Sequence, residues 1–581
     1  MWNVAKKAPK SFLSAYPEYS SVVNQILWNR GLKGQEAVDV FFNPDYERDV
    51  HDPLLLKGMK KALRRISDAI DGDEHIVIYG DYDADGVCAS TVLNETFLQL
   101  GARNVRVYIP HREDEGYGLN IPAIQQFAKE NASLIITVDC GSTNVEEVDA
   151  ANKLGIDVII TDHHQVLERV PAALALVNPH QKGDAYPFKD LAGTAVAFKL
   201  AQALIASRRI KRKQVPHEGW DKWLLDLVAL ATITDVMPLV GENRTLVRYG
   251  LMVLAQTRRP GLVALMSRAG VDPVFDRTSQ RTNLNPYTLG FVLGPRINAA
   301  GRMEHAELAF RLLETQDEHR AAELAGRLEQ KNKERQNVVR AIMAEIEDRP
   351  DINEHSAIVV GSERWPVGVL GIVAGRLAER YHKPSFLYQV QEKKLVGSAR
   401  TPHAFNTVEL LSACQSALSR FGGHAQAGGF AAARGKEKRL RTLLLTAVER
   451  RMKELGAEKL LPTLTIDAEI MSEHIGWELH QEIARFEPFG EGNSQPVFLM
   501  RAAALQGVRA VGGDGSHLRC MVSGGYNKEY VKAIGFGLAR EGLPVRAGES
   551  ADIAFTLGVD EWNGSRKLCL ELLDIKVATR E

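Results

Sequence analysis

Between residues 75 and 180, short β-branched runs alternate with stretches whose apolar residues fall at helical spacing, and few architectures accept that alternation. The runs are HIVIYG (75–80), NVRVYI (104–109), SLIITV (133–138), DVIIT (157–161) and ALALV (173–177). Between them lie TVLNETFLQLG, IPAIQQFAKE and VEEVDAANKLG. Strands separated by helices of this length predict βαβ units and a parallel sheet. Such a sheet is buried on both faces, so its strands are continuously apolar rather than alternating.

The rest of the chain reads differently. Residues 190–345 are predominantly helical in pattern. The charged stretch 316–349 lacks proline and predicts a long exposed helix that bridges two domains. Residues 355–455 return to α/β, with strands SAIVVG, PSFLYQ and KLVGSAR and a glycine-punctuated helix. The spacing Gly368-Gly371-Gly375 on that helix reads as close helix packing. Beyond Pro462 short strand-like runs predict a small barrel. With 581 residues, three or four domains are expected at roughly 150 residues each.

Composition mostly excludes. No stretch approaches the roughly 18 apolar residues of a membrane span, and the N-terminus lacks a signal-peptide pattern. The five cysteines (Cys88, Cys140, Cys414, Cys520, Cys569) form no CxxC pair, so neither a disulfide framework nor a thiolate zinc site is supported, and a reducing cytoplasm fits. The net charge is −1, so an anionic partner must be held by local patches or by metal. Two basic clusters, RRIKRK (208–213) and KEKRLR (436–441), read equally as such patches or as solvated surface.

Acidic and imidazole groups fall where chemistry is expected. Gly80-Asp81-Tyr82-Asp83-Ala84-Asp85-Gly86 follows the first strand, Asp139-Cys140-Gly141 the third and Asp162-His163-His164 the fourth; Asp235 follows a later helix. Ligands of open α/β sheets bind at the carboxyl edge of the strands. A lone aspartate there is ordinarily a helix cap or turn residue. Several converging without lysine or arginine would repel one another, and a divalent cation relieves that. Mixed Asp and His donors suit manganese, zinc or partly hydrated magnesium. There are enough donors for two ions, and a pair about 3.5–4 Å apart activates water and stabilises an in-line phosphoryl displacement.

The Asp-Tyr-Asp-Ala-Asp-Gly, Val-Asp-Cys-Gly and Asp-His-His runs resemble the DHH phosphoesterase superfamily, and within it the RecJ single-stranded-DNA exonucleases. The resemblance extends to Pro110-His111-Arg112, Gly116-Tyr117-Gly118-Leu119, Asn178-Pro179, Ala192-Gly193-Thr194, Thr234-Asp235, LGPRINAAGRM (293–303), GSAR (397–400) and GGHAQAGG (422–429). It implies an α/β fold: an N-terminal extension (1–50), a parallel-sheet DHH catalytic domain (51–315), a long linking helix (316–350), a second α/β DHHA1 substrate-binding domain (351–460) and a C-terminal OB-fold β-barrel (461–581). It implies Mg²⁺ or Mn²⁺, two ions, held by Asp83, Asp85, Asp139, His163, His164 and Asp235, with Asp81 and Asp162 as supporting or capping residues. Many superfamily members begin the first motif with histidine; Asp81 and Tyr82 stand there in this chain, which leaves the ligation of one ion open. Arg112, Ser398 and Arg400 resemble the contacts to a 5′-phosphate, and Arg296, Asn298 and Arg302 would line the cleft. Glycines around His424 let backbone amides approach a phosphate, and His424 would donate to one. Tyr117 is either a base-stacking residue or a packed loop aromatic. The barrel offers Trp477, Phe486, Phe489, Tyr526, Tyr530 and Trp562 to a single strand, most of them expected in its core.

The activity so implied is metal-dependent hydrolysis of single-stranded DNA from 5′ to 3′ into 5′-mononucleotides, in recombination and repair. Single-strand-binding protein and a helicase are the implied partners, and a monomer is expected. Two rivals stand beside this reading. A small-substrate phosphodiesterase would not need the barrel, and a non-catalytic binding module would have lost metal ligands that are all present in this chain.

Overall fold

The computed structural model describes residues 1–578 apart from 208, 212–215, 457–459, 524–529, 541, 547, 563–564 and the side chain of Trp562. Of the sequence-predicted features, Arg208, Arg212, Lys213, Tyr526 and the Trp562 side chain therefore lie outside the described residues. The chain divides into two compact units, residues 46–461 and a discontinuous unit of residues 1–45 with 462–581. Among the described residues no helix is long and apolar enough to cross a membrane.

In the larger unit, strands β1 (His75–Tyr79), β2 (Val105–Tyr108), β3 (Ala132–Val138), β4 (Asp157–Thr161) and β5 (Ala175–Val177) form one parallel sheet in the order β2-β1-β3-β4-β5. Helices α1 (Ala84–Gln99), α2 (Ile121–Lys129) and α3 (Val145–Lys153) make the crossovers. Alternate strand residues enter opposite cores: Ile76 and Ile78 pack with α1, Val77 and Tyr79 with Ile124, Phe127 and Val148. That explains the unbroken apolar runs. The order reverses between β1 and β3, which is the switch point at which such sheets hold ligands. Helices α4 (Gly193–Ala206), α5 (Leu225–Thr234) and α6 (Gly294–Met303) complete the domain.

Helix α7 (Glu318–Glu347) bridges to the second domain, but it is less exposed than its charge predicts. Ala321, Leu324, Ala325 and Leu328 enter the core of the first domain, and Val339, Ile342 and Ile346 that of the second. An apolar residue every third or fourth position suffices to bury one stripe, and the remaining charges face water.

The second domain is a mixed sheet in the order β9-β10-β8-β7-β6, from β6 (Ile358–Ser362), β7 (Ser385–Val390), β8 (Lys394–Arg400), β9 (Arg420–Gly423) and β10 (Ala427–Ala433), covered on one face by α8 (Val367–Tyr381). Strands β9 and β10 were not legible because RFGG and AGGFAAA contain almost no β-branched residue.

In the smaller unit β11 (Phe498–Val511), β12 (His517–Ser523), β13 (Tyr530–Gly535), β14 (Ser550–Trp562) and β15 (Ser565–Val577) pair in the order β11-β12-β13-β15-β14, and β14 pairs back to β11. The barrel is closed by that pairing, and its five strands are consistent with an OB fold. The N-terminal segment belongs to it: Trp2–Val4 pairs in parallel with Leu464–Ile466, and Val23, Ile26, Leu27, Val38 and Phe42 share a core with Phe486, Phe498 and Phe555. Phe486 is fully buried and its ring meets Phe42 edge-on at 4.9 Å; Trp477 and Tyr530 stay exposed, and Phe489 is half-buried against the core.

Phe486→Ala would empty this junction. The expected loss is about 3–5 kcal/mol, read as an earlier urea transition of the barrel unit, and an unmoved midpoint would contradict the packing.

Candidate metal centre

The chain leaves β1 through two positions packed too closely for a side chain unless a neighbour moves. A Cβ on Gly80 would lie 2.1 Å from Ser90 Oγ, and one on Gly86 2.6 Å from the Asp81 backbone. Asp83 caps α1, its Oδ1 accepting from the amides of Asp85 (3.0 Å) and Gly86 (3.1 Å). Asn298 Oδ1 accepts the Ala84 amide at 2.9 Å. Asp85 turns toward the N-terminus of α4, where the Gly193 and Thr194 amides each donate to its carboxylate at 2.7 Å. Asp139 follows β3 with φ 60°, a left-handed conformation that among non-glycine residues aspartate, asparagine and histidine take most readily. A Cβ on Gly193 would fall 2.5 Å from Asp139 Oδ1, so only glycine lets α4 approach both carboxylates.

After β4, Asp162 collects the amides of Ser142 (2.9 Å), His163 (2.8 Å) and His164 (3.1 Å), and its Oδ1 lies 2.8 Å from His164 Nδ1. This is the arrangement that fixes the tautomer of a metal-binding imidazole and leaves Nε2 free. Tyr117 lies on the same side: its hydroxyl is 3.1 Å from His164 Nδ1 and 3.3 Å from the Asp139 carbonyl.

These elements bring His163 Nε2 to 3.1 Å from Asp139 Oδ1, 3.6 Å from Asp235 Oδ2 and 3.8 Å from Asp85 Oδ2. Three sets of donors each lie within 4.8 Å of one another: Asp139, His163 and His164; Asp85, His163 and Asp235; Asp81, Asp83 and Asp139. Asp139 and His163 each belong to two sets. Asp81 Oδ1, Asp139 Oδ1 and His163 Nε2 are buried without a hydrogen-bond partner. Such orphaned polar atoms are costly in a folded protein unless an ion satisfies them.

The electrostatics agree. Burial, then the Asp85, Asp83, Asp81 and Asp235 carboxylates, push the Asp139 carboxyl well above the usual range. Burial with Asp85 and Asp83 raises Asp235 to about 9. Burial depresses His163. Asp162 behaves oppositely: burial opposes its charge, but the hydrogen bond and charge of His164 hold it well below the usual range. Burial likewise opposes His164, and Asp162 outweighs it, raising the imidazole to about 9. Carboxylates that cannot all ionise together, next to one that stays ionised to orient a histidine, fit a divalent cation with hard oxygen and borderline nitrogen donors.

Next to the acids lies a cluster of the opposite sign. The Arg112 guanidinium stacks over Tyr82, between Asp81 and Asp83, at 4.7 Å. Arg302 Nη1 donates to the Gly368 carbonyl (2.9 Å), and Arg400 Nη1 to the Ala399 carbonyl (2.8 Å). Burial first, then Arg112, Arg335 and Arg400, lowers Arg302 to about 9; burial and Arg112 lower Arg400. Crowded guanidinium groups of this kind await an anion. The glycines of α8 serve this as well as packing. Gly368 meets the Arg302 backbone as a helix contact, whereas a Cβ on Gly371 would come within 3.0 Å of the Arg400 guanidinium and 3.6 Å of Ser398 Oγ. Ser398 pairs with Gly429 and Gly429 with Gly422, giving a shelf of bare backbone beside Arg400. His424 is exposed at the β9–β10 turn, its amide donating to the Ala427 carbonyl at 2.7 Å.

Two residues read from the sequence as cleft-lining have partners within the protein. Arg296 pairs with Glu329 on α7 (2.7 Å) and donates to the Val292 carbonyl, and Asn298 holds the first motif. Sequence reasoning gave Gly193 and Thr194 no task and set Asp81 aside as support, yet α4 clamps Asp85 and the Asp81 carboxyl points into the acidic cluster.

Three family descriptions match: the N-terminal domain of the DHH family over residues 75–232, the DHHA1 domain over 354–454 and the RecJ OB domain over 466–574. The single-stranded-DNA-specific exonuclease RecJ of Bacillus subtilis is 38% identical over 96% of this chain and 68% of its own length. The chain belongs to the RecJ family. The RecJ of Escherichia coli is 32% identical over 95% of each chain. The crystal structure of RecJ from Thermus thermophilus in complex with Mn²⁺ matches with a TM-score of 0.82 at 28% identity, covering all of this chain and 80% of that one.

If Asp162 acts by orienting His164, Asp162→Ala should weaken Mn²⁺ binding by about 10- to 100-fold in calorimetric titration of the metal-free protein. Unchanged affinity in a folded variant would remove Asp162 from that role.

Proposed function

We propose that the chain is a divalent-metal-dependent exonuclease that removes 5′-mononucleotides from single-stranded DNA in the 5′ to 3′ direction. The observation that carries the reading is the Arg112–Tyr82 stack, which sets a cationic clamp one residue from two carboxylates of a cation site. An anionic strand needs both: a grip on a phosphate and a place where the adjoining phosphodiester meets metal. Family membership and the Mn²⁺ complex of the Thermus relative support the activity and the ion.

Asp83, Asp85, Asp139, His163, His164 and Asp235 would hold Mg²⁺ or Mn²⁺, with Asp139 shared between two positions and Asp81 within reach of one. Divalent ions bound there supply water activation and charge neutralisation for an in-line displacement. The protein's own groups do the rest. Asp162 fixes the His164 ring, and the α4 amides hold Asp85 against its neighbours. Arg112, Arg302, Arg400 and Ser398 bind a terminal 5′-phosphate, whose fork-shaped recognition starts digestion at an end. His424 and the glycine shelf of Gly422 and Gly429 follow the backbone of the strand. Residues 51–315 thus carry the chemistry, 351–460 hold the end of the strand, and the barrel of 461–581 binds strand further along. A cytoplasmic monomer working in recombination and repair beside single-strand-binding protein and a helicase completes the proposal.

The test uses 5′-phosphorylated single-stranded DNA labelled at its 3′ end, with Mn²⁺ or Mg²⁺ and with EDTA as control. A metal-dependent ladder shortening from the 5′ end, with duplex and RNA intact, is expected; cleavage of dinucleotides alone would replace this reading with a small-substrate phosphodiesterase. Asp139→Ala should abolish the ladder while the fold persists. Arg400→Ala should raise KM for 5′-phosphorylated strands by about 10- to 100-fold, as loss of a charged hydrogen bond worth about 1.5–3 kcal/mol requires, and should affect 5′-hydroxyl strands far less.

A further inference from the structure

The short π-helix Thr288–Leu293, which runs directly into α6, holds one large exposed ring and is preceded by another. Tyr287 is 66% exposed and Phe291 72%, and the two stack at 5.1 Å with planes 20° apart. Exposed aromatics of this size, paired and unburied, are unusual on a soluble surface unless something covers them. The helix that holds them is fixed. Asn285 Oδ1 accepts the Thr288 amide (3.0 Å) and hydroxyl (3.2 Å), while Leu289 and Leu293 are fully buried.

Its position relates it to the metal centre. Gly290 lies against Ile233, where a Cβ would come within 3.2 Å of the side chain, and Gly294 against Thr234, where it would come within 2.2 Å. These are the two residues before Asp235. Gly290 of the π-helix and Gly294 at the start of α6 thus sit on the end of α5, and the rings stand exposed. α5 ends with the Val236 amide donating to Ile233 and the Met237 amide to Thr232, which places Val236 at φ 58°. Glycine ordinarily takes that position; a β-branched residue there is strained. Val236 is nevertheless 66% exposed, so the strain secures no burial in the core. Strain of this kind concentrates at ligand-binding sites, as do π-helical turns. Exposed Arg277 and Arg281 stand on the short hairpin immediately upstream.

We infer that Tyr287 and Phe291, with Val236 beside Asp235, form a base-stacking step beside the end of α5 that carries Asp235, on which unpaired bases of the substrate strand rest. The inference rests on the single-strand reading above and deepens it. Phosphate contacts fix one end of the strand but leave its bases free. A stacked aromatic pair accepts any base, because every base has a π-face, and a base kept in a duplex cannot reach it.

The test compares the wild type and the Tyr287→Ala/Phe291→Ala double variant on 5′-phosphorylated single strands with bases and on the same strands with abasic sites throughout. On strands with bases the variant should raise KM by about tenfold or more, the loss expected for one or two stacked bases. On abasic strands the two proteins should share one KM. The Tyr287→Phe/Phe291→Tyr variant should restore the wild-type value, because planarity rather than a hydroxyl is required. An unchanged KM on strands with bases would overturn the inference, as would an equal loss on abasic strands, which marks a structural effect. If the wild type fails to degrade single strands at all, the exonuclease reading fails first, and that outcome is distinct from either.

Discussion

Everything in the larger unit is arranged around carboxylates that repel one another. Asp81, Asp83, Asp85, Asp139 and Asp235 converge at the carboxyl edge of one sheet, where burial denies water to Asp81, Asp85 and Asp139 and leaves Asp83 and Asp235 half-buried. A fold can tolerate that only if helix termini, amides and a cation share the charge. The amides of α4 take Asp85, the first turn of α1 takes Asp83, and the remaining donors stay partly unsatisfied. The order β2-β1-β3-β4-β5 makes this possible, since β1 and β3 are neighbours whose connections leave in opposite directions and open a crevice between them.

The cationic cluster is the complement of that arrangement. Arg112 and Arg302 come from the first domain and Arg400 from the second, and they crowd one another as the acids do. Two patches of opposite sign, each unfavourable by itself, become favourable together when a phosphodiester and metal lie between them. Preorganised charge of this kind needs little rearrangement when substrate arrives.

The legible part of the chain was the part with strong local pattern. Continuous apolar runs marked the five parallel strands, and residues placed just after them marked the acidic edge. Long-range partners left no such trace. Nothing local distinguishes Arg296, paired with Glu329, from Arg302, which lies with Arg112 and Arg400 six residues later. Asn298 lies within a recognisable motif, yet its carbonyl reaches back to Ala84 across more than two hundred residues. Strands β9 and β10 were invisible because glycine and alanine carry little β-preference, and they are strands because register beside β8 supplies what side chains do not. The membership of residues 1–45 in the barrel unit rests on contacts such as Phe42 meeting Phe486, between residues more than four hundred positions apart.

That last contact has a consequence for how the chain is made. Residues 1–45 are synthesised before residues 46–461, but their apolar faces, with Val23, Ile26, Leu27 and Phe42, are covered by residues that follow position 461. The whole of residues 46–461 is translated and can fold while this segment waits without its partner. Order of synthesis therefore completes residues 46–461 before the barrel unit, and until then the apolar face of residues 1–45 lacks its cover.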